Sequence, residues 1–386
     1  MRVGIVGAGI GGLCAAVGLH RAGADVAVFE RASQVRAGGS GLSVFGNGLR
    51  ALDSIGVGEA FRAITSPEAA TYQGGQRHPD GSWLSIYPMD AVNELRVVDR
   101  APLHEILHSA LPENVVNSGA RVSSARSDGQ IVWRDSSGRE ISEKFDLVVA
   151  ADGIHSRIRQ SLPNDPGVTY SGYSTWRGIT DIPVDLHSEA GETWGVRKRF
   201  GIAPLMDGRA YWFAVLSVNR EHQVNDDRTA LDEHFGTWHD PIPELIAATS
   251  SNRIGYLPID ELAGNLPSYV QGRVVLLGDA AHAMTPNLGQ GGGQAMEDAA
   301  TLAALFTPLA DSSDPAKAEI ARILTRYEGL RLKRTQTIAS RSRMIGLLAH
   351  KPGAGLTGVR DLILRATPTS ALRKQLAWLQ DWTPPA

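Results

Sequence analysis

The chain has a single cysteine, Cys14, among 386 residues. One cysteine excludes a disulfide framework and a cysteine-rich metal site. Cys14 lies in an apolar helical stretch and reads as a buried structural thiol. Long hydrophobic runs are scarce too. Val3 to Leu19, after Arg2, resembles a secretion signal, but its glycine spacing and the strand that follows fit a strand-turn-helix better. With no other run long enough to span a bilayer, no integral membrane segment is expected, and the cytoplasm is the default location. An excess of one charge is also missing. A formal net charge of −3 leaves no electrostatic footprint for nucleic acid. No His, Asp and Glu grouping has metal-ligand spacing, so no metal is expected, and no G-x-S-x-G elbow supports a serine hydrolase. What remains is ordinary globular composition, 42% hydrophobic and 20% charged, in a length that suits about two domains.

The pattern begins as a βαβ unit. Val3 to Val6 is an apolar strand, Ile10 to Arg21 a helix, and Asp25 to Phe29 a second strand ending at Glu30. Asn47 to Ile55 reads as a helix, and Arg100 to Leu111 as an amphipathic one. Arg121 to Lys144 reads as antiparallel strands with turns at Asp128-Gly129 and Ser137-Gly138. Leu147 to Ala150 is a buried strand. From about Val168 to Leu266 strands dominate: Thr175 to Ile182, Thr193 to Val196, Gly201 to Leu205 and Ala210 to Val218. Asp232 to Trp238 and Pro243 to Ala248 read as helices within that region. Arg273 to Leu277 is again a short strand. A helix from about Gly292 to Phe306 and a long one from Ala316 to His350 follow. Gly353 to Gly358 is expected to break the helix before a helical tail.

Gly7-Ala8-Gly9-Ile10-Gly11-Gly12 fits G-x-G-x-x-G. Gly7 allows a tight turn, Gly9 lets the backbone approach a pyrophosphate, and Gly12 lets helix and strand pack closely. The helix N-terminus then offers free N–H groups to phosphates. In a chain with 42 glycines the pattern alone is weak. Its context is stronger, because it follows a strand, opens a helix, and has Glu30 placed to accept ribose hydroxyls. That context implies a bound adenine dinucleotide.

Two later segments separate FAD from NAD. Ala150 to Arg157 (AADGIHSR) follows one buried strand. Arg273 to Asp279 (RVVLLGD) follows on another and continues AAHAMTPNLGQGGGQAMEDAATL. Asp279 can accept hydrogen bonds from a polyol such as the ribityl chain. The turn Gly289 to Gly293 offers backbone N–H groups to an electron-rich ring edge, where a flavin gathers charge on reduction. In this order and spacing the three segments resemble the class A flavoprotein aromatic hydroxylases, the para-hydroxybenzoate hydroxylase family, over essentially the whole chain. The compact size and the segment Tyr173 to Gly178 (YSTWRG) are similar to its salicylate-, urate- and hydroxynicotinate-type members.

The resemblance implies an α/β fold: a Rossmann-like FAD-binding domain, an inserted β-rich substrate domain and C-terminal helices. The expected division is 1–70, 97–166 and 268–350 for the FAD-binding domain, 71–96 and 167–267 for the substrate domain, and 351–386 for the C-terminal helical segment. It implies noncovalent FAD, with NADH or NADPH as a transient co-substrate. Oxygen activated at flavin C4a would hydroxylate a small aromatic or heteroaromatic substrate. Glu30 would hold the adenosine ribose, with Arg31 beside it in the cofactor site. Arg100 would reach the flavin or its phosphates, and Asp279 the ribityl and pyrophosphate region. Asp152 belongs to a segment tied to FAD and nicotinamide. Pro286, Gly289, Gln290, Gly291 and Gly292 would border the isoalloxazine. Arg199, Tyr211 and Pro286 are the candidates for lining the substrate cavity, and no catalytic base is named. His155 and His282 read as structural or cofactor-side, His104 as a helix-face residue, Trp176 and Trp212 as packing. A monomer or homodimer is expected. The alternatives are an isoprenoid epoxidase, a non-oxygenating flavin reductase of the same fold, and a catalytically inactive FAD-binding sensor or scaffold. A halogenase is disfavoured because W-x-W-x-I-P is missing.

Overall fold

The computed structural model describes residues 1–33, 41–92, 94–309, 317–350 and 353–386. Its first sheet grows from the strand Arg2–Val6, apolar and buried after its first residue. That strand pairs in parallel with Asp25–Glu30 on one side and Leu147–Ala150 on the other. Val116–Ser118 and Val274–Leu276 extend the sheet in parallel, and Val270–Gln271 closes one edge antiparallel. Strands buried on both faces need no alternation, which is why Leu147–Ala150 and Val274–Leu276 are uniformly apolar. The helices Ile10–Arg21 and Gly291–Phe306 pack on one another. Small residues allow the approach, since a Cβ at Gly18 would fall 2.7 Å from Ala303 Cβ.

The second sheet has seven strands, in the order Gly255–Leu262, Val168–Ile179, Ala210–Leu216, Lys198–Pro204, Gly191–Trp194, Gly75–Arg77 and Trp83–Ile86. Strand alternation separates its faces. Trp176, Phe200 and Trp212 are buried on the back with Leu231, Phe235 and Leu245, so both tryptophans pack as expected. Arg177, Arg199, Tyr211, Phe213 and Val215 line a cavity on the other face. The antiparallel pair Gly41–Phe45 and Leu95–Asp99 lies between the two large sheets in sequence. A three-stranded sheet, Arg121–Ala125, Gln130–Arg134 and Glu140–Lys144, carries turns at Gly129 (φ +90°) and Gly138 (φ +85°), where the sequence places them.

Two helices depart from the sequence reading. The first begins earlier, as Asp227–Phe235, because Asp226 caps it by accepting the Thr229 N–H at 2.7 Å. The second corrects the expected break at Gly353 to Gly358. Gly353 is only the N-cap, and the helix Ala354–Ala366 runs through Gly355 and Gly358. Helical glycine costs about 1 kcal/mol. Buried Arg360, donating to Gly195 O at 3.0 Å, anchors the helix to the second sheet and offsets that cost. A last helix, Thr369–Gln380, follows. Among the described residues no helix is long and apolar enough to cross a membrane.

Candidate functional site

The three fingerprint glycines have three different surroundings. Gly7 has φ +102°, and a Cβ there would sit 2.4 Å from Ala151 O. At Gly12 a Cβ would lie 2.0 Å from Gly7 O, so this glycine sets helix–strand packing. At Gly9 a Cβ would meet nothing within 4 Å. The helix Ile10–Arg21 has no side-chain cap, leaving its first N–H groups open to a ligand. Glu30 accepts the N–H of Ala8 at 2.8 Å and of Ala32 at 2.9 Å, so it braces the turn as well as facing the cavity. His104 does more than occupy a helix face: its Nε2 lies 2.8 Å from Ala8 O.

Gly7, Gly9, Glu30, Arg31, Asp152 and His155 line a cavity of about 240 Å³. Asp152 Oδ2 accepts the Arg157 N–H at 2.9 Å. Its Oδ1 is buried without a partner, and burial pushes this carboxyl above its ordinary value. His155 is exposed and borders both this cavity and the next.

The second cavity, about 550 Å³, lies between the motif segments of the first sheet and the front of the second. Asp279, Pro286, Gly289, Gly291 and Gly292 form one side, and Arg100, Arg177, Arg199 and Tyr211 the other. Gly278 (φ +62°) precedes Asp279, which opens the short helix Asp279–His282. The Asp279 side chain makes no hydrogen bond to a described residue and is exposed to the cavity. Gly289 needs its φ of +62° to end the turn Pro286–Leu288. A Cβ at Gly291 would meet nothing within 4 Å, whereas one at Gly292 would press on Leu42 at 2.8 Å. Gln290 lies outside the walls of these cavities. Its side-chain oxygen accepts from Asn47 at 3.0 Å and from Gln294 at 3.2 Å.

Arg100 lies deep among protein atoms yet keeps an exposed surface, because the cavity reaches it. Neither Arg100 nor Arg177 donates a hydrogen bond to a described residue. Burial, and then the Arg177 charge, lower Arg100 from its ordinary value. Burial raises Tyr211, against the two guanidiniums, so its hydroxyl stays protonated. Arg199 is better held: Nη1 donates to Glu192 Oε2 at 3.1 Å, Nη2 donates to Asn287 Oδ1, and Nε has no partner. Sequence reasoning quoted Arg177 without giving it a role. The signal was its alternation with the packing residue Trp176, which puts Arg177 on the cavity face.

A buried ion network stands behind the glycine turn. Asp298 accepts from Gly278 N–H at 3.0 Å, His282 Nε2 at 2.6 Å and Arg331 Nε at 2.6 Å. Arg331 also pairs with Glu297, which takes Arg334 Nε at 2.8 Å and Asn47 Nδ2 at 2.6 Å. Burial alone would raise Asp298 and Glu297, but His282, Arg331 and Arg334 outweigh it and hold both below their ordinary values. His282 is thereby part of this buried network.

A third cavity, about 240 Å³, meets the second at Ser43, Tyr211, Phe213, Pro286 and Gly289. Its walls are largely apolar, with Phe45, Met89, Val92, Leu95, Leu376 and Leu379 among them.

These features fit an adenine dinucleotide carrying a flavin. Gly9 and Gly291 leave room where side chains would stand, Asp152 Oδ1 is orphaned, a helix N-terminus is uncapped, and two guanidiniums donate to no described residue. The comparisons with known proteins agree. An FAD binding domain model matches residues 1–342. The aurachin C monooxygenase/isomerase of Stigmatella aurantiaca is 36% identical over 375 residues, 95% of this chain and 94% of that protein. An FAD-dependent urate hydroxylase of Klebsiella pneumoniae is 32% identical, covering 92% of each. The 2-heptyl-3-hydroxy-4(1H)-quinolone synthase of Pseudomonas aeruginosa is 32% identical over 97% of this chain and 96% of that one. Klebsiella pneumoniae HpxO complexed with FAD and uric acid superposes with a TM-score of 0.84 at 27% identity, covering 98% of this chain and 97% of that one. The chain thus belongs to the family defined by this FAD binding domain.

Proposed function

We propose that this protein is an FAD-dependent monooxygenase that uses NADH or NADPH and O₂ to hydroxylate a small aromatic or heteroaromatic substrate. The observation that carries the reading is the junction of two cavities. A glycine-walled cavity suited to a flavin opens, at Pro286, Gly289, Tyr211 and Phe213, onto an aromatic-lined chamber of substrate size. The relatives named as monooxygenases and hydroxylases support it.

In this reading the first cavity holds the adenosine end. Glu30 would accept from the ribose, Arg31 would flank it, and Gly7 and Gly9 would bring the backbone to the pyrophosphate with Gly12 packing behind. Asp152 would turn its free Oδ1 toward the cofactor. Asp279, exposed to the cavity, would accept from the ribityl chain. Pro286, Gly289, Gly291 and Gly292 border the ring, and Gln290 acts indirectly, by holding the turn through Asn47. When bound, FAD supplies hydride acceptance from the nicotinamide and oxygen activation. Arg100 and Arg177, which line this cavity, would place positive charge beside the ring. Arg199 holds Asn287 and Glu192 at the rim of the substrate chamber. Tyr211, Phe213 and Pro286 wall the junction and exclude water, which protects the reactive oxygen from unproductive loss. The stretches 1–70, 97–166 and 268–350 would form the FAD-binding domain, and 71–96 with 167–267 the substrate domain. A compartment holding reduced nicotinamide, the cytoplasm, suits this chemistry.

The test is substrate-stimulated NAD(P)H oxidation with labelled oxygen. Label from O₂ in the product supports the reading, and label from water overturns it. Fast flavin reduction without oxygen incorporation would point instead to a reductase.

A further inference from the structure

Among the described residues the walls of the chamber beyond Pro286 contain no Lys, Arg or His. The one charged residue among those described is Glu192, on the strand Gly191–Trp194. Glu192 Oε2 is occupied, accepting from Trp194 Nε1 at 2.7 Å and Arg199 Nη1 at 3.1 Å. Oε1 accepts from no described residue, and the side chain keeps 22% exposure, so an acceptor remains on offer. Tyr87 lies close enough to feel Glu192: burial first, and that carboxylate second, push its hydroxyl up to about 12. Tyr87 therefore stays neutral. Its oxygen accepts from Gln76 Nε2, which leaves its proton free to donate. Away from this pair and from Ser43, Tyr72, Asn287 and Gln380 the described wall is apolar, from Phe45 through Met89 and Val92 to Leu376 and Leu379 of the last helix.

A carboxylate substrate would find no cation among the described walls, because Arg199 behind them is paired with Glu192 and Asn287, and it would face Glu192 Oε1. A neutral ring would find an acceptor, a donor and a long apolar wall. Resting on the reading that this chamber holds the substrate, we propose that it selects an uncharged heteroaromatic ring with an N–H or O–H donor and a carbonyl-type acceptor, bearing an apolar chain. Glu192 takes the donor, Tyr87 gives to the acceptor, and the chain runs toward Leu376 and Leu379.

The FAD-loaded protein is titrated with 4-quinolone, its 2-methyl, 2-propyl and 2-heptyl derivatives, and salicylate, reading perturbation of the flavin absorbance. Affinity is expected to rise about three- to fourfold per buried methylene until the chain passes Leu376, with salicylate at least tenfold weaker than the heptyl compound. Ala70→Trp, which adds bulk to the chamber wall, should shrink the ratio between heptyl and bare ring. Glu192→Gln should weaken 4-quinolone about tenfold and leave N-methyl-4-quinolone unchanged, a split that loss of structure would not produce. Flavin content checks that each variant folds. The ligand series on the unaltered protein decides the matter even if a variant does not fold. Affinity independent of chain length, or salicylate binding tightest, overturns the proposal. Chain-dependent binding without oxygen consumption would support the chamber's selectivity while defeating the monooxygenase reading.

Discussion

Replacing Arg331 with Met tests whether the buried network holds the glycine turn. The Arg331 side chain is 1% exposed and bonds Asp298 at 2.6 Å, Gln294 Oε1 at 2.7 Å and Glu297. Met fills similar volume without charge, so the loss is mostly electrostatic. Removing one partner from a buried ion pair costs about 3–5 kcal/mol, because the other charge is stranded. Here the stranding is partial. Glu297 keeps Arg334 at 2.8 Å, and Asp298 keeps His282 at 2.6 Å and the Gly278 N–H at 3.0 Å. The cost should therefore fall near the lower end, roughly 3 kcal/mol. In a protein of this length, with an unfolding entropy of about 2.1 cal/mol/K per residue, that is a fall in melting temperature of about 4 °C. Thermal unfolding of the FAD-loaded protein, followed by circular dichroism, measures it. A double-mutant cycle with Asp298→Asn should show coupling of about 0.5–3 kcal/mol, as for groups in contact. A shift under about 2 °C with no coupling would refute the reasoning.

The same carboxylates set an acid limit. Asp298 and Glu297 are held below their ordinary 3.8 and 4.5, so their stabilisation is complete above those values and fades as pH falls through the lower folded ones. Acid unfolding should begin below about pH 4, and a curve for Asp298→Asn as steep as that of the natural protein would count against this. Gly9→Ala should leave the FAD-free fold intact, since its Cβ meets nothing within 4 Å, yet weaken FAD binding at least tenfold by calorimetry. Gly12→Ala should lose folded protein outright, because its Cβ would lie 2.0 Å from Gly7 O. If the two variants behave alike, the glycines do not divide the work as their surroundings indicate. Cys14, whose thiol burial pushes up to about 12, should react with an aromatic disulfide reagent only after unfolding. Arg177→Met should raise or leave unchanged the stability of FAD-free protein, by removing a charge that opposes Arg100, while lowering FAD affinity; unchanged affinity would contradict its place in the cofactor wall.

The features legible in the sequence are those whose cause is local. Gly7, Gly12 and Gly289 carry backbone geometry in the residue itself, and Glu30 ends its strand beside the turn, so the nucleotide site could be read from short segments. Asp279 and Pro286 became meaningful because they stand next to such segments, and Arg100 only through the family resemblance. Gln290 shared that neighbourhood, but its side chain turned inward to Asn47, 243 positions away. The Arg331–Asp298 pair was illegible for a similar reason. The long helix Lys317–His350 is polar-surfaced, and nothing in its pattern marks one arginine of many as buried. Glu192 lies on the strand Gly191–Trp194 and Tyr87 just after the strand Trp83–Ile86, two segments joined only by sheet order. The glycines at 355 and 358 read as breakers because propensity is local, whereas the Arg360 anchor that overrides it is tertiary.

Strand register links these levels. On the strand Val168–Ile179, Trp176 faces the back core and Arg177 the cavity, while its partner Ala210–Leu216 places Trp212 behind and Tyr211 and Phe213 in front. A slip of one residue would put a guanidinium into an apolar core and two indoles into the cofactor cavity. Burial of Trp176 and Trp212, which donate to Asp227 and Thr249 at 2.8 Å each, fixes the register from behind. The back core thereby dictates which residues reach the junction at Pro286. It leaves Arg100, Arg177 and Arg199 on the cofactor side, and among the described residues only Glu192 charged on the other. The charge contrast between the two cavities is thus a consequence of how the tryptophans pack.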